Sequence, residues 1–201
     1  MLSAPVRWYV GQRVTPAVLA LYTVGAMATP WVGGQELPVP RLVPGAIRYA
    51  EFLPSLSAAA VVASVVSPPH LVPEARSPRS PGRWERWWVV VLLAMTGLVW
   101  ALGHQLLDGQ PGLLVVAVRD LLGFTGLGLI ARALGWGPYA PALSVLFALV
   151  ATVLGYPGQW LLHWPMEPAE SFGSMVVCVA LVVAGLCWGT GQSALHADAI
   201  R

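Results

Sequence analysis

The sequence predicts an all-α fold: a polytopic membrane protein, built as a bundle of six transmembrane helices with both termini inside (N-in/C-in). Three observations predict it. Of the 201 residues, 57% are hydrophobic and only 10% are charged, with a mean hydropathy of +0.69. A soluble domain carries roughly 25% charged residues, so these charges are too few to cover a water-facing surface and the apolar surplus calls for lipid. The apolar residues also gather into six stretches, each near the roughly 20 residues that a spanning helix needs. Finally, the arginines sit on alternate connections between those stretches.

The first stretch, residues 14–32, begins after Arg13 and ends in Pro30 and Trp31. It lacks the small-residue site of a cleaved signal peptide, so it reads as a span. The second, 42–66, is the weakest, because it holds Arg48, Glu51 and Pro54. Without them only 52–66 remains, short for an untilted crossing. The third covers 87–107, the fourth 112–134, the fifth 139–156 and the sixth 172–189, giving a single transmembrane domain over residues 1–201.

With the N-terminus inside, Arg7, Arg13, Arg76, Arg79, Arg83, Arg86, Arg132 and Arg201 all fall inside, and only Arg41 falls in an outside connection. Glu36, Asp108, Glu167 and Glu170 fall outside. This is a strong positive-inside bias, and removing any one span would scramble it. The tryptophans form two belts. Trp8, Trp84, Trp87, Trp88, Trp136 and Trp188 lie near the inner boundary, and Trp31, Trp100, Trp160 and Trp164 near the outer one.

Two connections stand out. Residues 67–86 hold five prolines among serines and arginines, which reads as an extended cytoplasmic linker. It serves as a topology signal in contact with anionic lipid, or as a docking surface for a cytosolic partner through Arg76, Arg79, Arg83 and Arg86. Residues 157–170 read PGQWLLHWPMEPAE, too apolar for a solvated outer loop. That segment lies in the interface or dips into the membrane and returns, which is tolerated only where protein or water covers its polar groups.

The candidate site is charge inside the membrane. Arg48 and Glu51 share one face of the second span, and Arg119 and Asp120 are adjacent in the fourth. Both pairs sit roughly 10 Å below the outer boundary and their charges sum to zero. Pairing across helices, Arg48 with Asp120 and Glu51 with Arg119, would lower the cost of burying them. The four form either an ionic clasp between the two spans or a polar substrate path open to the outside. A further outer polar layer holds His104, Gln105, Asp108, His163 and Glu167; the spacing matches no metal motif, and no metal site is expected.

Other chemistries are excluded or unsupported. All eleven basic residues are arginine, so there is no Walker A lysine and no Schiff-base lysine. No Gly-x-Ser-x-Gly elbow occurs, and Ser174 lacks a nearby base on its face; no catalytic activity is expected in this chain. Ser55, Ser57 and Ser64 are expected to satisfy backbone groups freed by Pro54. Cys178 and Cys187 are nine positions apart on one helix and cannot bridge; both read as small core residues. Small residues (Gly25 and Thr29, Gly97 and Ala101, and Gly123, Gly126 and Gly128) let helices approach closely, within this bundle or against a second copy.

Two stretches carry a resemblance. The first is VRDLLGFTGLGLIARALGWG, residues 118–137, and the second is HWPMEPAESFG, residues 163–173. Together they resemble small six-span proteins of GC-rich bacteria in the ABC-2-type transporter permease group. Arg119 and residues 121–123 match an Arg-Asn-Leu-Leu-Gly run, with Asp120 where Asn is usual. Trp164, Pro165 and Pro168 match a Trp-x-Trp-Pro-x-x-Pro segment, with His163 in place of an aromatic or small residue. The resemblance implies the permease subunit of an exporter in the bacterial plasma membrane. It would be powered by ATP on a separate ATPase subunit, paired with itself or a sister permease, with no cofactor and no nucleic-acid partner of its own. Residues 67–86 would meet the ATPase. The alternatives are an accessory or immunity-type membrane protein, and an intramembrane enzyme or secondary carrier that uses the buried charges.

Overall fold

The computed structural model describes residues 15–32, 34–36, 49–66, 81–107, 111–154, 164–166 and 169–198. The side chains of residues 49–51, 81–84, 152–154, 166 and 189–198 lie outside the described set. The fold is all-α. Its helices are α1 (Pro16–Val32), α2 (Tyr49–Val65), α3 (Pro81–Leu106), α4 (Pro111–Ala131), α5 (Ala140–Leu154) and α6 (Phe172–Asp198). Each of the six apolar stretches overlaps one of these helices, with α3 starting before its stretch and α6 running past the end of its own.

Local chemistry sets the helix starts. Pro16, Pro81 and Pro111 occupy first helical positions, where the missing N–H costs nothing and the fixed φ favours the helix. Thr15 caps α1, its Oγ1 accepting from Val18 N at 3.2 Å. The same preference moves the start of α3 to Pro81, so Arg83 and Arg86 lie on a helix and not in the extended linker expected over 67–86. Between α4 and α5 the chain turns through a π-helical segment, Arg132–Trp136, and a 3-10 turn, Gly137–Tyr139. Gly135, at φ 91°, supplies the left-handed residue that this reversal needs.

Side-chain contacts fix the direction of every helix. Tyr22 meets Thr96, Ala26 meets Trp100 and Pro30 faces Gly103, so α1 and α3 run parallel. Ala58 clusters with Leu121 and Phe124, while Val62 abuts Gly128, so α2 and α4 run parallel. Gly126 lies against the backbone of Leu181 and Val182, and Gly185 against Leu129, so α4 and α6 run parallel. Phe124 with Phe147 and Ala131 with Ala140 set α5 antiparallel to α4. Glu85 bonds Arg132 while Trp100 clusters with Leu121, so α3 and α4 run antiparallel, and each helix reverses the direction of the one before it.

The core centres on α4, with 13 of its 21 residues buried. Glycines let neighbours close on it from three sides: Gly126 against α6, Gly128 against α2 and α5, and Gly123 beneath the ring of Trp164. Gly97 differs. Nothing approaches the position a Cβ would take there, so it plays no part in packing the bundle.

Two stretches, Glu85–Leu106 and Pro111–Ala151, are long and apolar enough to cross a membrane; the second runs through α4, the turn and part of α5. The apolar helices Pro16–Val32, Phe52–Val65 and Phe172–Trp188 are shorter.

Several expectations are corrected. Cys178 is buried as expected, but Cys187 is exposed, because their nine-residue separation turns one of them off the α4-facing side of α6. Trp100 and Trp164 do not sit in a boundary belt; each is sealed in protein. Trp100 Nε1 donates to Ala26 O at 2.9 Å. Pro30, four residues after Ala26, has no N–H to give that carbonyl, and the indole takes its place. The serines near Pro54 do not perform the analogous task. The Ser55 and Ser57 hydroxyls are buried with no hydrogen-bond partner, and Ser64 Oγ donates to Val61 O, three residues back and far from the proline.

Candidate functional site: an ion pair beneath a buried turn

Arg119 and Asp120 follow one another in α4, about 100° apart around the helix. The flexible arginine stem still reaches across. Arg119 Nε donates to Asp120 Oδ1 at 2.9 Å, and the two side chains are 1% and 0% exposed. This bond joins neighbours on one helix; the partners expected across the helices, Arg48 and the side chain of Glu51, lie outside the described set. Glu51 itself lies on α2.

The guanidinium has a second role. Arg119 Nη2 donates to the carbonyl of Pro165 at 3.0 Å. Pro165 belongs to a three-residue 3-10 turn, Trp164–Met166, whose Trp164 and Pro165 are buried against α4. A lone turn satisfies few of its own backbone groups, and a buried carbonyl without a donor is costly. Arg119 supplies that donor with a charge-assisted bond. The indole of Trp164 then fills the space that Gly123 leaves open. It packs 4.9 Å from the Phe124 ring and stacks on Phe147 at 5.8 Å between centroids. Cys178 of α6 lies against Gly123 on another side.

Of the outer polar layer, His104 and Gln105 are described, and they face different ways. His104 is buried, and neither ring nitrogen has a hydrogen-bond partner, whereas Gln105 is exposed. Consecutive helical residues cannot face the same way. Asp108, His163 and Glu167 lie outside the described residues. Among the described residues, no group of three or more His, Cys, Asp or Glu side chains could hold a metal. Of the docking arginines, Arg76 and Arg79 lie outside the described residues, Arg83 lies on α3 with its side chain outside the described set, and Arg86 is exposed on the same helix.

Sequence reading missed a second ion pair, Arg132 Nη2 to Glu85 Oε2 at 2.8 Å, which ties the start of α3 to the turn after α4. A signal was present, since both residues flank the ends of their apolar stretches. It also missed a polar link between α1 and α3, where Tyr22 OH donates to Leu92 O and Thr96 Oγ1 lies 2.7 Å from Tyr22 OH.

Comparison with known proteins returns nothing: no family model, no curated protein and no solved structure matches the chain.

Proposed function

We propose that this chain is a six-span, N-in/C-in membrane protein that serves as the permease subunit of an ABC-type exporter driven by a separate ATPase. One observation carries the reading. The two stretches that bear the resemblance form one structural unit, with Arg119 bonded to Pro165 and Gly123 beneath Trp164. Their joint presence is therefore one packing device and not two coincidences. The strict alternation of helix direction supports serial crossings, because each membrane span must return the chain to the opposite side. An export subunit also needs an outside source of energy, and a chain with no lysine has no P-loop of its own.

A second reading, an accessory or immunity-type membrane protein without transport activity, is favoured by one feature. The Arg119–Asp120 pair is buried, as a structural clasp would be.

Purification in mild detergent from the native cell separates the two readings. The permease reading expects an ATP-hydrolysing subunit to co-purify, and to be lost when residues 67–80 are deleted. A chain that purifies alone, with unchanged export in a deletion strain, overturns it.

A further inference from the structure

The register of the helices brings exposed aromatic side chains to common levels. Glu85 bonds Arg132, Val89 clusters with Leu129, and Trp100 clusters with Leu121. The level of Trp87 on α3 is therefore that of the end of α4. Gly126 with Leu181, and Gly185 with Leu129, place Trp188 of α6 beside Arg132. Trp136 and Tyr139 occupy the turn that follows. All four are more than half exposed. At the opposite end, the 74-residue offset of Tyr22 from Thr96 and of Ala26 from Trp100 puts Trp31 level with Gln105. Phe172 opens α6 on that side, and both Trp31 and Phe172 are at least three-quarters exposed.

Between these levels the outward faces of α1, α3, α5 and α6 are apolar but for residues such as Thr23, whose hydroxyl donates to its own helix at Leu19 O. Among the described residues there, no charged side chain is exposed. At 1.5 Å per residue the band is about 24 Å tall along α6 and about 27 Å along α3, close to the roughly 30 Å hydrocarbon core of a bilayer. Aromatic rings with polar tips settle where hydrocarbon meets headgroups.

We infer that this band is a lipid-contact surface bounded by two aromatic rims, with Trp87, Trp136, Tyr139 and Trp188 at one headgroup boundary and Trp31 and Phe172 at the other. The inference rests on the membrane reading and adds where each boundary falls. It also sets a depth for the buried turn. The far edge of the Trp164 ring lies level with Gly123, about midway between the rims, while Arg119 holds the Pro165 carbonyl nearer the rim marked by Trp31 and Phe172.

The natural thiols supply the test. Cys187 is exposed, one residue from Trp188, while Cys178 is buried and escapes labelling. The protein is reconstituted into phosphatidylcholine–phosphatidylglycerol vesicles and carries a nitroxide label on Cys187, or on a cysteine introduced by Leu98→Cys in a Cys187→Ala background. Accessibility to oxygen and to a nickel chelate reports depth. The expected result is a shallow Cys187 and a deep residue 98, separated by roughly 17 Å at 1.5 Å per residue. A label on residue 98 that is open to the nickel chelate overturns the rims and the membrane reading together. A Cys187 label as deep as residue 98 overturns the rims alone. If residue 98 is poor in both collision partners, a second copy of the chain and not lipid covers the α3 face, which overturns the lipid assignment.

Discussion

At the scale of single residues, Arg119 links three groups: its neighbour Asp120, the Pro165 carbonyl and, through that carbonyl, the seating of Trp164 over Gly123. Arg119→Ala leaves a carboxylate and a carbonyl buried without this donor and is expected to cost about 3–5 kcal/mol, read as loss of thermal stability in detergent. Asp120→Asn keeps a hydrogen-bonding side chain and is expected to be milder. Two variants that fold normally but abolish export would instead make the pair a working site. Trp100 permits a cleaner test. Trp100→Phe leaves Ala26 O without its donor, at about 1–3 kcal/mol. Pro30→Ala returns a backbone N–H to that carbonyl and is expected to suppress part of the loss, so the two changes should be non-additive in a double-mutant cycle.

At the scale of elements, close approach to α4 decides the packing. Gly126→Ala places a Cβ 2.6 Å from the backbone of Leu181 and Val182, and backbone cannot rotate away. The expected cost is about 1–3 kcal/mol. Gly97→Ala, with open space around it, is expected to be neutral in the same thermal assay. Positions of the helices were legible in the sequence, because apolar runs and prolines at first helical positions are local properties. The early start of α3 shows the limit. Arg83, Trp84 and Arg86 break the apolar run, so hydropathy begins the stretch at Trp87 while the backbone is already helical from Pro81. The turn after α4 was not legible either, since a π-helical segment with one left-handed glycine looks like the tail of the helix in sequence. Gly135→Ala is expected to cost about 1–2 kcal/mol there, from the left-handed φ alone.

At the scale of the whole molecule, the proposed topology is tested by which side of the membrane holds the arginine-rich segment. A reporter that is active only in the cytoplasm, fused after Pro78, is expected to be active. Neutralising Arg76, Arg79, Arg83 and Arg86 together is expected to lower the fraction of chains with that segment inside. The reverse result would turn the molecule over and exchange the assignments of the two aromatic rims. The three shorter apolar helices fit the same frame, since neighbouring helices and tilt accommodate a length mismatch of a few ångströms.

The sequence by itself determined that the chain is all-helical and roughly where the helices lie, because hydropathy is summed along the chain. Only the tertiary structure decided which partner each group has. Arg119 meets Asp120 and a proline carbonyl, Trp100 replaces the missing N–H of Pro30, and Cys178 is buried while Cys187 is not. Those outcomes depend on the rotation and register of one helix against another. Each residue turns the side chain by about 100°, and small changes in interhelical packing choose between faces that a one-dimensional pattern cannot tell apart.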